Sequence, residues 1–255
     1  MHAVVLAAGC GSRMGRLTRR RPKALLRLAG HSLLDWQLAA LQAAGISQVS
    51  VVAGHAAPLL RWPTQVKCVV NTDWAGSGPI ASLRCARPET LGTVLLVYGD
   101  GVFHPALAQA LRDSSADIAI TVDRRWQELW ALRFADVLAD AESLRRRDGW
   151  LTEIGARADS AAAIEAQFTG LVRFSAQGWQ QVQQLLVQLE PQQQRRLDTT
   201  GLLALLLASG IPIATIDVDG RWCEVDSARD LALYRLLARR SPGWSHDWRW
   251  DVPGA

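Results

Sequence analysis

Cysteine is scarce in this chain and lysine scarcer still. Cys10, Cys68, Cys85 and Cys223 are scattered along 255 residues. They form no Cys-x-x-Cys pair and have no histidines at metal-ligand spacing, which argues against a zinc site and a disulfide framework. They are expected to be reduced thiols, mostly small core residues. No apolar run approaches the ~20 residues of a membrane span, and residues 1–8 lack the basic start and long apolar stretch of a secretion signal. A soluble, cytoplasmic protein with no membrane partner is therefore expected. The Walker pattern Gly-x-x-x-x-Gly-Lys-Ser/Thr is missing, and Gly9-x-Gly11 lacks the third glycine of a dinucleotide fingerprint. No internal repeat and no Ser-His-Asp or Cys-His arrangement is evident. The net charge of +4 is modest and partly local to one loop, so no nucleic-acid partner is expected.

Lys23 and Lys67 are the only lysines among 28 basic residues, so arginine is the default cation. A lysine directly after Pro22 suggests a site that wants a compact point charge rather than a planar fork. Lys23 closes the segment LAAGCGSRMGRLTRRRPK, residues 6–23, in which a short apolar strand leads into a glycine loop and a basic run. Gly9 and Gly11 are expected to turn with positive φ and to let backbone N–H groups approach an anion unhindered. Arg13, Arg16, Arg19, Arg20, Arg21 and Lys23 place six positive charges within eleven residues. The matching ligand is a triphosphate.

Apolar periods alternate between strand-like and helix-like along the chain, the pattern of an α/β fold. A Rossmann-like, mixed but mostly parallel sheet flanked by helices is expected. Strands are read at 2–7, 48–53, 66–71, 93–98 and 117–122, and helices at 33–44, 79–86 and 105–112. The pattern then turns Trp-rich and charged, with short strands at 130–134, 151–154 and 167–174 and a turn-prone piece at 140–149. Regular structure resumes with helices at 176–189, 199–209 and 227–240 and strands at 213–218 and 222–225. One domain over 1–240 is expected, with an acceptor or lid insertion near 123–175. A Trp-rich tail over 241–255 either docks on the body or meets a partner, and a homodimer is one arrangement it allows.

Ligands of open α/β sheets bind at the carboxyl ends of the strands, so Asp100, after the fourth main strand, should face the same crevice as the first loop. A cation must stand between a carboxylate and a polyphosphate, and Mg²⁺ is the expected one. Glu224-Val225-Asp226 offers a second carboxylate, Asp226, which could also serve as a helix cap. Trp126, Trp130, Trp150 and Trp222, with Asp123, Glu128 and Asp198 nearby in sequence, would suit an amine or quaternary ammonium through cation–π attraction.

Gly9-Cys10-Gly11-Ser12-Arg13-Met14 with Pro22-Lys23, then Tyr98-Gly99-Asp100, then Trp222-Cys223-Glu224-Val225-Asp226-Ser227 resemble in order the signature segments of the nucleotidyltransferase superfamily that includes the sugar-1-phosphate enzymes. Glu153-Ile154-Gly155, Gln167-Phe168-Thr169-Gly170-Leu171 and Leu197-Asp198-Thr199-Thr200 resemble the phosphocholine and aminoalkylphosphonate cytidylyltransferases within it. The segment Trp74-Ala75-Gly76-Ser77-Gly78-Pro79 departs from that subgroup. The resemblance implies that Gly9, Gly11, Ser12 and Arg13 hold a triphosphate and that Lys23 stabilises charge on the reacting phosphates. It also implies Mg²⁺ on Asp100 and Asp226, and a base read by Leu6, Ala7 and Ala8 together with Gly78 and Ser82. The acceptor side falls to Trp126, Trp130, Asp198 and Trp222. The expected reaction joins CMP from CTP to a small phosphorylated or phosphonylated acceptor. A sugar-1-phosphate enzyme using another nucleotide and a non-enzymatic nucleotide-binding relative are the alternatives.

Overall fold

Alternation along the first strand sets the architecture. In β1 (His2–Ala7), Ala3, Val5 and Ala7 join one hydrophobic cluster while Val4 joins another, as a strand buried on both faces requires. A computed structural model of the protein describes residues 1–60, 66–241 and 243–250. Its further strands are β2 (Arg27–Leu28), β3 (His31–Ser32), β4 (Gln48–Ala53), β5 (Val66–Val70), β6 (Val94–Tyr98), β7 (Gly101–Phe103) and β8 (Ile118–Asp123). They continue as β9 (Glu142–Arg147), β10 (Trp150–Arg157), β11 (Gln167–Phe174), β12 (Ala214–Val218) and β13 (Trp222–Glu224). Nine of them form one sheet in the order β5-β4-β1-β6-β11-β8-β12-β10-β9. All run the same way except β10 and β11.

The helices are α1 (Leu33–Ala43), α2 (Pro79–Cys85), α3 (Pro105–Asp113), α4 (Trp126–Arg133), α5 (Ala176–Val187), α6 (Pro191–Arg196), α7 (Thr199–Ala208) and α8 (Ala228–Arg240). Leucines of α1, α3 and α8 pack on one face of the sheet, and those of α2, α5 and α7 on the other. Ser32 and Asp35 form a reciprocal capping box on α1, and Ser227 and Asp230 form one on α8.

Three expectations change here. Residues 130–134 belong mainly to α4, because Trp126, Leu129, Trp130 and Arg133 are the buried positions and their three- and four-residue spacing is that of a helix face. The piece at 140–149 contains β9, joined to β10 by Asp148 and Gly149, whose φ values of 53° and 80° make a two-residue hairpin turn. Of the cysteines only Cys223 is buried; Cys68 is exposed and Cys10 and Cys85 are half-buried, so most are not core residues.

The tail docks over its described part. Trp248 is fully buried and meets Trp36 edge-on with ring centres 6.0 Å apart, and Trp250 approaches the same ring at 5.7 Å. Position 242 and residues 251–255 lie outside the described residues. Among the described residues no helix is long and apolar enough to cross a membrane.

Candidate active site

The chain leaves β1 into a loop shaped by two different glycines. Gly11 has φ 60°, in the left-handed region, and a Cβ there would stand 3.2 Å from Lys23 Cδ. Gly9 does not share that conformation, contrary to expectation. A Cβ at Gly9 would meet only open space, in a position that borders two clefts. Its missing side chain therefore leaves cleft space open and relieves no clash within the fold. Met14 N–H and Thr18 Oγ1 both donate to the Gly11 carbonyl, each at 2.9 Å, and fold the loop back on itself.

Across the loop, Gly99 crosses directly over β1. Its N–H donates to the Leu6 carbonyl at 3.1 Å, and a Cβ would fall 2.3 Å from that oxygen, so only glycine fits. This close crossing delivers Asp100 to the end of β1. The short strands β7 and β13 pair beside it, and Val225 N–H donates to the Asp100 carbonyl at 3.0 Å. The two carboxylates predicted to work together, Asp100 and Asp226, are thus tied through their backbones.

Lys23 completes the cluster. Its Nζ donates at 3.0 Å to Asp100 Oδ2 and at 3.0 Å to Asp226 Oδ1. Burial lowers the proton affinity of the Lys23 amine, yet the two carboxylates outweigh it and hold the ammonium above the ordinary lysine value. Stability from these pairs is therefore fully present below the ordinary lysine pKa and is lost only as pH rises through the raised one. Arg13 lies 3.1 Å from Asp226 Oδ1. Burial would raise the Asp226 carboxyl, but Lys23 and Arg13 bring it below the usual carboxylate range. The cap of α8 is Ser227, so Asp226 does not serve as its side-chain cap.

Arg133 carries no signal in the sequence and lies at the centre of the site. Its side chain is 1 % exposed and donates to Glu224 Oε1 at 2.5 Å, Asp226 Oδ2 at 3.1 Å and Asp230 Oδ1 at 3.3 Å. The guanidinium also lies over the Trp130 ring at 5.2 Å. Burial would lower its pKa, but Glu224 and the other surrounding anions raise it well above the usual value. Burial and the adjacent Asp226 push Glu224 above the carboxylate range.

Three adjoining clefts meet at these residues. The first, about 330 Å³, is lined by Leu6, Ala7, Gly9, Gly11, Ser12 and Arg13 together with Lys23, Asp100 and Asp226. Leu6, Ala8 and Gly9 continue into the second, about 190 Å³, where Gly78 and Ser82 face them. There Asn71 Nδ2 donates to Ser77 Oγ and Ser82 Oγ at 2.9 Å each, fixing the N-terminal turn of α2. The third, also about 190 Å³, shares Arg13 and Asp226 with the first and adds Tyr98, Trp130, Glu142, Gln167 and Phe168. Asp140, Glu224 and Asp226 place carboxylate oxygens within 4.8 Å of one another along its inner wall.

The basic run is only partly used. Arg16, Arg19, Arg20 and Arg21 are exposed and do not line the first cleft, which leaves Arg13 and Lys23 as its cations. The expected acceptor residues also divide. Trp130 lines the third cleft, 3 % exposed, and its Nε1 is buried without a partner. Trp126 and Trp222 are each 1 % exposed and pack behind Trp130, with ring centres 5.9 and 6.3 Å from it. Trp222 Nε1 donates to Asp123 Oδ2 at 3.0 Å, so both rings are scaffold rather than cleft wall. Asp198 accepts from Gly201 N–H at 2.7 Å as the cap of α7, while Thr200 is the residue of that turn that lines the cleft. Asp123 is a buried hub for the backbone amides of Arg125 and Gly220 and the side chains of Trp222 and His246. Trp150 is exposed on β10, and Glu128 pairs with Arg125 on the surface.

The family model for the MobA-like NTP transferase domain matches residues 3–161, the stretch that carries the loop, Lys23 and Asp100. The chain belongs to that family. It is accordingly a nucleotidyltransferase. CTP:phosphoglutamine cytidylyltransferase of Campylobacter jejuni is 30% identical over 247 residues, covering 91% of this chain and 98% of its own length. CMP-5'-(3-aminopropyl)phosphonate synthase of Streptomyces rubellomurinus is 34% identical over 151 residues, 56% of this chain and 24% of that protein. The solved CTP:phosphocholine cytidylyltransferase of Streptococcus pneumoniae superposes with a TM-score of 0.72 over 93% of this chain and 98% of that one, at 16% identity, and so shares the family fold.

Proposed function

We propose that the protein transfers CMP from CTP to an oxygen of a small, amine-bearing phosphate or phosphonate, releasing pyrophosphate. The observation that carries this reading is a first cleft lined by Arg13, Lys23, Asp100 and Asp226 that shares Asp100 with the second cleft and Arg13 and Asp226 with the third. The near full-length similarity to a cytidylyltransferase of a phosphorylated amino acid supports the choice of nucleotide and acceptor class. In this assignment the first cleft takes the triphosphate, with the amides of the glycine loop and the charges of Arg13 and Lys23 around it. The second takes the base, and the third takes the acceptor.

The chemistry follows from the inventory. A phosphate or phosphonate oxygen is already a nucleophile, so it forms the new bond to the α-phosphorus while the bond to the bridging oxygen breaks and pyrophosphate departs. Catalysis is then positioning plus stabilisation of charge on the reacting phosphates. Lys23, held between two carboxylates, is fixed in the cleft and remains protonated. Arg13 borders both the first and third clefts, where the two phosphorus centres must meet. Trp130, Tyr98 and Phe168 give the acceptor aromatic walls, and Asp140 and Glu142 give its amine opposite charge.

Mg²⁺ fits the donor set. Asp100 and Asp226 already converge on one cation, the Lys23 ammonium, at 3.0 Å each, and they offer the oxygen ligands that a hard divalent ion prefers. These two residues would hold it, and its contribution would be to neutralise phosphate charge. The test is pyrophosphate release with each of four nucleoside triphosphates against phosphoglutamine, phosphocholine, 3-aminopropylphosphonate and glucose 1-phosphate, with and without Mg²⁺. CTP with one of the three amine-bearing acceptors is expected to give turnover only with Mg²⁺. Turnover confined to glucose 1-phosphate with another nucleotide would overturn the reading.

A further inference from the structure

A second concave surface lies away from the catalytic clefts and shares no residue with them. It is a groove of about 710 Å³ into which Arg27 of β2, Arg235 and Arg239 of α8 and Arg249 of the tail all project, and among the described residues no acidic one lines it. Arg235 sits seven residues into α8, about 10 Å of helix rise from its first residue. The rest of the lining is Ala29, Gly30 and Ala238, so among the described residues the guanidinium groups are the only ionic side chains that line the groove.

Three of these four arginines have no carboxylate partner among the described residues. Arg235 donates to the Arg27 carbonyl from Nε at 3.1 Å and from Nη2 at 2.6 Å. Arg27 Nη2 donates to the Gly30 carbonyl at 2.9 Å, and Arg249 Nη1 to the Ala238 carbonyl at 2.9 Å. A carbonyl orients a guanidinium but cancels none of its unit charge, and each guanidinium has five N–H donors, so several stay available. Arg249 alone of the four has a carboxylate partner among the described residues, Asp247 at 2.7 Å. Arg239 makes no hydrogen bond or ion pair among them. Its place in the last turn of α8 suits the helix dipole, but that does not account for Arg27 and Arg249, which reach the same groove from other parts of the chain.

Three guanidiniums without a carboxylate partner, beside the paired Arg249, repel one another until an anion enters, and guanidinium forks match phosphate oxygens in pairs. A cavity of this size takes a molecule on the scale of a nucleotide. We infer that this groove is a binding site for a small oligophosphate anion, such as tripolyphosphate or the phosphate tail of a nucleotide, separate from the catalytic cleft. The inference stands whether or not the proposed reaction is correct.

Calorimetric titration of tripolyphosphate tests it. The Arg13→Ala/Lys23→Ala chain, with its first cleft disabled, is expected to keep one site. Adding Arg27→Ala and Arg239→Ala should weaken that site by roughly tenfold or more, from the loss of two charge-assisted contacts. An unchanged melting midpoint shows that the fold survives, and Gln109→Ala, remote from both sites, serves as a control expected to bind as its parent. Titrating CTP into the cleft-disabled chain distinguishes the sources: equal affinity assigns the site to the phosphates alone, and tighter binding assigns it to a nucleotide. No binding of either anion to the cleft-disabled chain, or binding unaffected by the groove substitutions, overturns the inference. Binding to vesicles of anionic lipid without binding to tripolyphosphate would also overturn it, because it would make the groove a membrane contact.

Discussion

The two halves of the site are built in different ways. The first cleft, the phosphate side of the proposed reaction, comes from backbone: the loop after β1, held by Gly11, and the close approach of Gly99 to Leu6, with a single lysine set between them. The third cleft, the acceptor side of the proposed reaction, comes from side chains on α4, β9, β11 and the first turn of α7, elements far apart in sequence. A backbone cradle recognises what every nucleoside triphosphate shares. Side chains drawn from separate elements can change one at a time, which is where selectivity for an acceptor belongs. Arg133 lies at the join, with its guanidinium on Glu224, Asp226 and Asp230.

Breaking that join should have the largest effect. Arg133→Met leaves three carboxylates around an apolar side chain, and removing one partner of a buried ionic cluster costs about 3–5 kcal/mol. A urea unfolding midpoint should fall accordingly, and a midpoint near that of the parent would mean that the carboxylates do not depend on Arg133. Lys23→Ala comes next and acts first on the phosphate-side half, where Lys23 lines the cleft. Loss of one preorganised charge in the cleft should lower kcat roughly 10²–10³-fold, about 2.7–4 kcal/mol in the barrier. Near-normal turnover would remove Lys23 from the mechanism.

The third substitution tests whether the tail supports the acceptor side. Asp123 ends β8 just before α4, and His246 Nε2 lies 2.7 Å from its Oδ2, both side chains fully buried. Because Asp123 also holds Trp222 and the amide of Arg125, the tail braces the start of α4 and the strand that leads to Asp226. His246→Ala should cost about 1.5–3 kcal/mol, the range for a hydrogen bond to a charged group. Hydrogen exchange should speed up in α4 and β13 before it does in the first loop. Uniform exchange over both halves would show that the tail stabilises the whole fold without favouring either.

The same contrast explains what the sequence made legible. Strand and helix positions near the loop followed from apolar period, and Asp100 and Asp226 followed from the rule that ligands sit at strand ends; the structure does bring both to Lys23. Local motifs can be seen because neighbouring residues act together. Arg133 could not be found this way, since its partner Asp230 is 97 residues away and the capping motif of Asp230 says nothing of Arg133. The basic run misled for the opposite reason, because its charge count says nothing about direction and Arg16, Arg19, Arg20 and Arg21 point to solvent. Tryptophans 126, 130 and 222 look equivalent in sequence, and only packing shows that one lines the cleft while the other two support it.

Trp130 therefore provides the mildest and most selective test of the comparison. Its ring packs against Trp126 and Trp222 and under Arg133, while Nε1 is buried with no partner among the described residues. A buried donor left unpaired costs about 1–3 kcal/mol, so the native fold carries this group at a loss unless something else accepts from it. Trp130→Phe removes the donor and part of the ring. The lost packing and the relieved donor should largely offset each other, leaving stability within about 1 kcal/mol of the parent. If the acceptor satisfies Nε1, its KM should rise about threefold to tenfold, the equivalent of one neutral hydrogen bond. The KM for CTP should stay where it was, because Trp130 borders only the third cleft. Equal rises in both constants would mean that the ring serves the architecture of the whole site, and the division into a backbone half and a side-chain half would fail at its most exposed point.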